Sequence, residues 1–292
     1  MLYSFHWWLT MDAREIKSLE QARREFSTQH KCEVYLQRQR WPGGVKCPKC
    51  GTERHYWLKN QHLWECRACK YHFSVTAGTI FHRSKIKLPR WFVAIWLMSY
   101  SPKGVAAKQL ERELGVCYET AWYMAKRIRR AMKHDIFEDE LCGIVEVDAS
   151  SIKADGGTGR FGTQNVLGMT QRRGAMKMEV IDALTRANIQ RVCLKNFDRV
   201  EMVYSDATHS MGFLSKVAEH RTVAHYWRHT QGRTHTNYVE SAWSLLKRGV
   251  YGIFHHMSAE YLQDYLDEFS FRYSHRREKG KLFDSVLACC ED

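Results

Sequence analysis

Between residues 11 and 40, Ile16, Leu19, Phe26, Val34, Tyr35 and Leu36 stand among charged neighbours at spacings that predict a helix. Trp41-Pro42-Gly43-Gly44 ends it, because proline lacks an amide proton and glycine suits turns. A cysteine-rich stretch to about residue 75 reads as hairpins. From Pro89, the run Trp91-Phe92-Val93-Ala94-Ile95-Trp96-Leu97-Met98 predicts a buried helix that stops near Ser101-Pro102-Lys103-Gly104. Two shorter helical segments flank Gly115, one from Val105 to Val116 and one from Tyr118 to Met132. The second carries Lys126, Arg127, Arg129 and Arg130. That is what a helix-turn-helix requires, a helix for the major groove and cations for the phosphates. An ordinary helical hairpin with a charged face shares the pattern.

After Glu138-Asp139-Glu140 the pattern changes to short alternating runs. Gly143 to Asp148 predicts a strand that ends on an acid. Asn165 to Gln171 and Ala175 to Ile181 predict two more strands around a turn at Arg172-Arg173-Gly174. A helix over Leu184 to Leu194 follows, then a strand from Glu201 to Ser205 that ends on Asp206, then a helix to about His220. Arg221 to Tyr226 is a fifth strand, and Asn237 to Arg248 and Ser258 to Arg276 are helical.

Charge narrows the choice of partner. The 45 Lys and Arg residues outnumber 32 Asp and Glu, a formal charge of +13. Such an excess attracts polyanions by counterion release and makes nucleic acid the first partner to consider. The 44 % hydrophobic content implies a folded chain. No apolar run is long enough for a bilayer. The apolar first ten residues lack a basic start and a small-residue cleavage site, so no signal peptide is expected; Met11 is a candidate start.

Four of the ten cysteines form two CxxC pairs, Cys47 with Cys50 and Cys66 with Cys69, with fifteen residues between the pairs. Each CxxC aims two sulfurs the same way, and two together match the tetrahedral thiolate shell of Zn²⁺. The other six are scattered, which fits a reducing compartment better than a disulfide framework.

Asp148, Asp206 and Glu240 form the second candidate site. In an RNase-H-type sheet the first and fourth strands are neighbours, so two acids ending them would meet, with Glu240 closing the site from a helix. Carboxylates brought that close repel one another unless a hard dication, Mg²⁺ or Mn²⁺, sits between them. Two such ions can activate a water or 3′-hydroxyl against a phosphodiester. Asn237 shares a helical face with Glu240 and is an alternative ligand. Lys247 lies seven residues beyond Glu240, two turns along the same face, where a cation can hold a DNA phosphate.

The stretch from His235 to Gly249, His-Thr-Asn-Tyr-Val-Glu-Ser-Ala-Trp-Ser-Leu-Leu-Lys-Arg-Gly, resembles the signature of ISXO-type insertion-sequence transposases, relatives of the eukaryotic Merlin transposons. The likeness continues through Tyr251-Gly252, His255 to Ser258 and Tyr265 to Tyr273. Val145 to Asp148 and Val203 to Asp206 resemble the family's two aspartate blocks, and the ribbon with Gly78-Thr79-Ile80-Phe81 its N-terminal region. The chain departs from the family pattern at Ala149-Ser150-Ser151 and at Ala207, where an acid usually follows each aspartate.

The resemblance implies an α/β chain: a helical segment over 11–45, a zinc ribbon over 46–76, a helical region with the helix-turn-helix over 77–135, and an RNase-H-like catalytic domain with a mixed sheet over 140–280. It implies an enzyme that cuts transposon ends and joins them to target DNA through Asp148, Asp206 and Glu240, with Lys247 assisting. Glu240 and Asn237 both remain open as the third catalytic position. Its partner would be double-stranded DNA, the terminal inverted repeats and the target. The chain would act as a homodimer or larger assembly, in the cytoplasm of a prokaryote or the nucleus of a eukaryote. The other classes in play are an inactive DNA-binding derivative and an RNase-H-like nuclease or resolvase.

Overall fold

Thr28 divides the helix expected over residues 11–40. Its hydroxyl accepts from the Lys31 amide and starts α2 (Gln29–Arg40), while Ser18 accepts from Gln21 and starts α1 (Leu19–Glu25). A hydroxyl at such a position satisfies an otherwise orphan amide and fixes a helix start. The computed structural model describes residues 16–138, 140–155, 161–206, 209–223, 234–255, 257–277 and 282–290. The expectations for the first fifteen residues, and for strand beyond Val223, lie outside these. The chain forms two units, residues 1–101, 107–131 and 278–292 in the first, and 102–106 and 132–277 in the second.

In the first unit, α3 (Leu88–Tyr100) buries its aromatic run, with Trp91 and Phe92 wholly enclosed. Phe26 stacks on Phe283 at 5.2 Å and meets Phe92 edge-on at 4.9 Å. Phe283 belongs to α9 (Leu282–Ala288), an element not expected from the sequence, which packs with α2 and α3. Ahead of α3, β1 (His55–Leu58), β2 (Leu63–Cys66) and β3 (His72–Phe73) form an antiparallel sheet in that order. Its core is only Val45, Cys47, Cys66, Phe73 and Ala77, edged by Trp41, Trp64 and Tyr71. A core that small needs a metal staple. Gly115, at φ +59°, joins α4 (Ala107–Leu114) to α5 (Tyr118–Glu138); a left-handed residue here ends α4 as glycine readily does.

The second unit is built on β4 (Leu141–Asp155), β5 (Phe161–Gln171), β6 (Met176–Ile181), β7 (Phe197–Asp206) and β8 (Glu219–Val223), ordered β6-β5-β4-β7-β8. The first three pair antiparallel, whereas β7 is parallel to both β4 and β8. This is the RNase-H-like mixed sheet. The first strand does not end on Asp148 but runs on to Asp155. Past Asp148, Ile152 and Ala154 lie on the face opposite Val145 and Val147 and are fully buried there.

Each face of the sheet has its own core. Val145, Val147 and Val203 face α6 (Arg186–Asn196) and the 3-10 turn His209–Lys216, through Ile189, Val192, Phe213 and Leu214. That 3-10 turn stands where a full helix to His220 was expected. On the opposite face, Ile152 and Val166 meet α7 (Asn237–Gly249) and α8 (Leu262–Ser274) through Val239, Trp243, Leu246 and Leu266. Among the described residues no helix is long and apolar enough to cross a membrane.

Candidate active site and metal centres

The two CxxC turns bring Cys47, Cys50, Cys66 and Cys69 together, their sulfurs all within 4.8 Å of one another. Cys47 Sγ lies 3.7 Å from Cys69 Sγ, and Cys50 Sγ lies 3.5 Å from Cys66 Sγ. A tetrahedron with Zn–S bonds of about 2.3 Å has edges of about 3.8 Å, so the four sulfurs already outline a zinc shell. No disulfide joins them. Among the described residues this is the one cluster of potential ligands drawn in so tightly.

The carboxylate site is arranged by strand register. Val147 on β4 pairs with Ser205 on the parallel β7, so Asp148 and Asp206 follow one step later, level with each other. Side chains alternate along a strand. Val147 enters the α6-side core, and Asp148 accordingly projects toward α7. There its Oδ2 accepts a 2.9 Å hydrogen bond from Trp243 Nε1. The indole reaches it across Gly168, the β5 partner of Asp148, where an added Cβ would lie 2.6 Å from Trp243 Cζ2. Ala149, one of the departures from the family pattern, packs against the opposite core.

Burial, then the charge of Asp206 and more weakly that of Glu240, push the Asp148 carboxyl up to about 6, against the lowering effects of the Ala149 amide and the Trp243 indole. The three acids are not gathered as closely as the thiols. Thr236 Oγ1 donates to Glu240 Oε1 at 2.6 Å, and Glu240 is half-buried. Asn237, at the first turn of the same helix, is exposed. Lys247 is half-buried in the last turn of α7, and seven residues of helix place it about 10 Å beyond Glu240.

The α5 cations separate by environment. Lys126 lies over the Trp122 ring at 5.2 Å, Arg127 donates to Tyr123 Oη at 2.6 Å, and Arg130 is exposed. Arg129, only 3 % exposed, is turned inward and is not presented to a duplex; it lies one residue past Ile128, on the flank of the helix face that buries Ala121, Met124, Ala125 and Ile128. Sequence reasoning gave no role to Trp243, Gly168, Glu146, Arg172 or His235. Period-two alternation was the available signal for Glu146, since it shares a face with Asp148.

A mixed sheet in the order β6-β5-β4-β7-β8, with Asp148 and Asp206 on its central parallel pair and Glu240 on the following helix, has the RNase-H-like arrangement. Residues 140–274 match the ISXO2-like transposase domain, and residues 27–72 match the transposase zinc-ribbon domain. The chain is thus similar to ISXO2-like transposases over residues 140–274, with a stretch similar to the transposase zinc ribbon ahead of that region. A protein of Halobacterium salinarum, described as an uncharacterized protein in transposable element ISH50, is 30 % identical over 132 residues. That match covers 44 % of this chain and 44 % of the relative, so the chain spans less than half of that relative's length. The crystal structure of the catalytic domain of Mos1 mariner transposase overlaps 57 % of this chain and 94 % of its own, at 12 % identity and a TM-score of 0.30. The strand order, not that overlap, defines the fold.

Proposed function

We propose that the chain binds the ends of a DNA transposon, cuts them and joins them to target DNA. The observation that supports this reading is the β4–β7 register, which sets Asp148 and Asp206 level on neighbouring strands, with Glu240 on the helix that packs over β4. Burial and mutual repulsion there hold the Asp148 carboxyl up at about 6. Acids kept together at such a cost suit a hard dication, so the residues fit a pair of Mg²⁺ or Mn²⁺ ions held by Asp148, Asp206 and Glu240. Bound there, such ions supply activation of a water or 3′-hydroxyl and neutralisation of the departing oxygen.

The protein's own residues do the rest. Trp243 fixes the Asp148 carboxylate through its indole N–H and shields that side of the site with its ring. Thr236 orients Glu240, and Asn237 stands close enough in the chain to be the alternative ligand. Lys247 holds a phosphate beside the scissile one. Lys126, Arg127 and Arg130 supply phosphate contacts from α5, and Arg129 is left out of that set because it is buried. The four thiols hold a structural Zn²⁺ that keeps the ribbon folded. Ribbon and helix-turn-helix together form the end-binding part, and residues 140–280 the catalytic part. Joining two ends calls for at least a homodimer, acting where the cell keeps its DNA.

Strand-transfer assays on DNA carrying the element's own ends test the reading. Cleaved ends joined to a target support it. Cleavage without joining would mark a nuclease or resolvase, and binding without cleavage a non-catalytic derivative.

A further inference from the structure

Two residues before Asp148 and Asp206, and so on the same face, Glu146 on β4 pairs with Tyr204 on β7. Glu146 is fully buried, and a buried carboxylate persists only where its oxygens are paired. Both are. Oε1 accepts from Arg172 Nε at 2.8 Å and faces His235 Nδ1 at 3.3 Å. Oε2 accepts from the amides of Tyr238 and Val239 at 2.8 and 3.2 Å. These two amides are among the orphan donors that open α7. Arg172 in turn donates to the His235 carbonyl at 2.8 Å and lies 4.2 Å over the Tyr204 ring.

A helix start is ordinarily satisfied by the residue just before it. That residue is Thr236, and its side chain caps no amide. Its hydroxyl is turned to Glu240 Oε1 instead. Glu146 thus caps α7 from a neighbouring strand and leaves the threonine hydroxyl to hold the third acid.

We infer that Glu146, with Arg172 and His235, is a positioning device for Glu240. It ties the first turn of α7 to β4 only two residues from Asp148, and so sets where Glu240 stands relative to Asp148 and Asp206. A slip of one residue would turn Glu240 by about 100° around the helix, away from the other acids. The inference rests on the three-carboxylate reading above. Glu146 touches no reacting atom in it.

Mn²⁺ binding to the full-length, zinc-loaded chain, followed by electron paramagnetic resonance, tests this without relying on activity. Glu146→Gln keeps the shape and loses the charge that holds Arg172 and the two amides. It should weaken Mn²⁺ binding about 10- to 100-fold, the usual effect of losing a residue that orients a ligand, with circular dichroism and DNA-end binding unchanged. Arg172→Lys keeps the charge without the planar fork and should show a smaller loss; it also serves as the test if Glu146→Gln fails to fold. In a Glu240→Gln background either substitution should add less than twofold, because its effect runs through Glu240. Independent, multiplying losses would show a general structural role and overturn the inference. So would wild-type Mn²⁺ affinity in Glu146→Gln or, where that variant is unfolded, in Arg172→Lys. Glu240→Gln with wild-type affinity would overturn the three-carboxylate reading, and this inference with it.

Discussion

Replacing Asp148 with Asn should stabilise the metal-free protein while destroying its activity. In the folded chain the carboxyl is held up to about 6 from 3.8, chiefly by burial and then by Asp206. It binds its proton more tightly folded than unfolded. Between roughly pH 4 and 6 the folded state therefore carries the extra proton, and stability falls as pH rises through that window. Below it the penalty is absent, and above it fully in place. Two pKa units correspond to about 3 kcal/mol at pH 7, or about 6–12 °C in melting temperature for a domain of this size. Asn carries no charge and its carbonyl still accepts from the Trp243 indole, so most of that penalty should disappear. Asp267, also raised to about 6 by burial, is common to both proteins and cancels in the difference. The assay is thermal unfolding of wild type and Asp148→Asn without divalent cations other than the thiolate-held zinc, from pH 4 to 8. The mutant should melt several degrees higher at pH 7, the curves should converge near pH 4, and added Mg²⁺ should stabilise only the wild type. A mutant no more stable than wild type at pH 7 would show that the buried Asp148 charge carries no such penalty.

Three further outcomes are expected. Purified protein should hold one Zn²⁺ per chain, and Cys66→Ser should lose it and unfold the ribbon; less than half an equivalent in the wild type by metal analysis would remove the zinc assignment. Gly168→Ala places a methyl 2.6 Å from Trp243 Cζ2, so the indole must shift. Cleavage should slow by about a hundredfold at a stability cost of about 1–3 kcal/mol, and single-turnover rates within twofold of wild type would contradict this. Lys247→Ala should slow single-turnover cleavage at saturating protein far more than it weakens end binding, with partial rescue by Arg; an unchanged rate would leave Lys247 a solvated helix residue.

The strands of the second unit are largely readable from the sequence, because most have their own alternating run bounded by a turn or an acid, whereas their order in the sheet was expected only from the RNase-H-type arrangement. The zinc cluster is legible for a similar reason, since both CxxC turns are local. What was not legible depends on distant partners. Thr28 looks like any polar residue until its hydroxyl is seen to cap α2. The seven-residue α9 has a helical spacing in Phe283, Val286 and Leu287, but the aromatic surface that completes it comes from Phe26 and Phe92. Glu146 and Arg172 are separated by 26 positions and meet only because β4 and β5 pair antiparallel. Trp243 reads as a core residue on α7 until Gly168 opens the space through which its N–H reaches Asp148. Arg129 and Arg130 are neighbours with the same charge, and only the packing of α5 decides that one is buried and the other exposed.

In the proposed reaction Asp148, Asp206 and Glu240 do the chemistry while the basic surface supplies the affinity. The most direct test is Mg²⁺-dependent cleavage of end DNA by Asp148→Asn, Asp206→Asn and Glu240→Gln, run beside mobility shifts on the same DNA. Asn237→Ala is included to separate the two candidates for the third position. Neither aspartate mutant should show detectable cleavage, and both should bind end DNA nearly as the wild type does. Glu240→Gln should lose far more activity than Asn237→Ala. Substantial cleavage by Asp148→Asn or Asp206→Asn would contradict the proposed reaction.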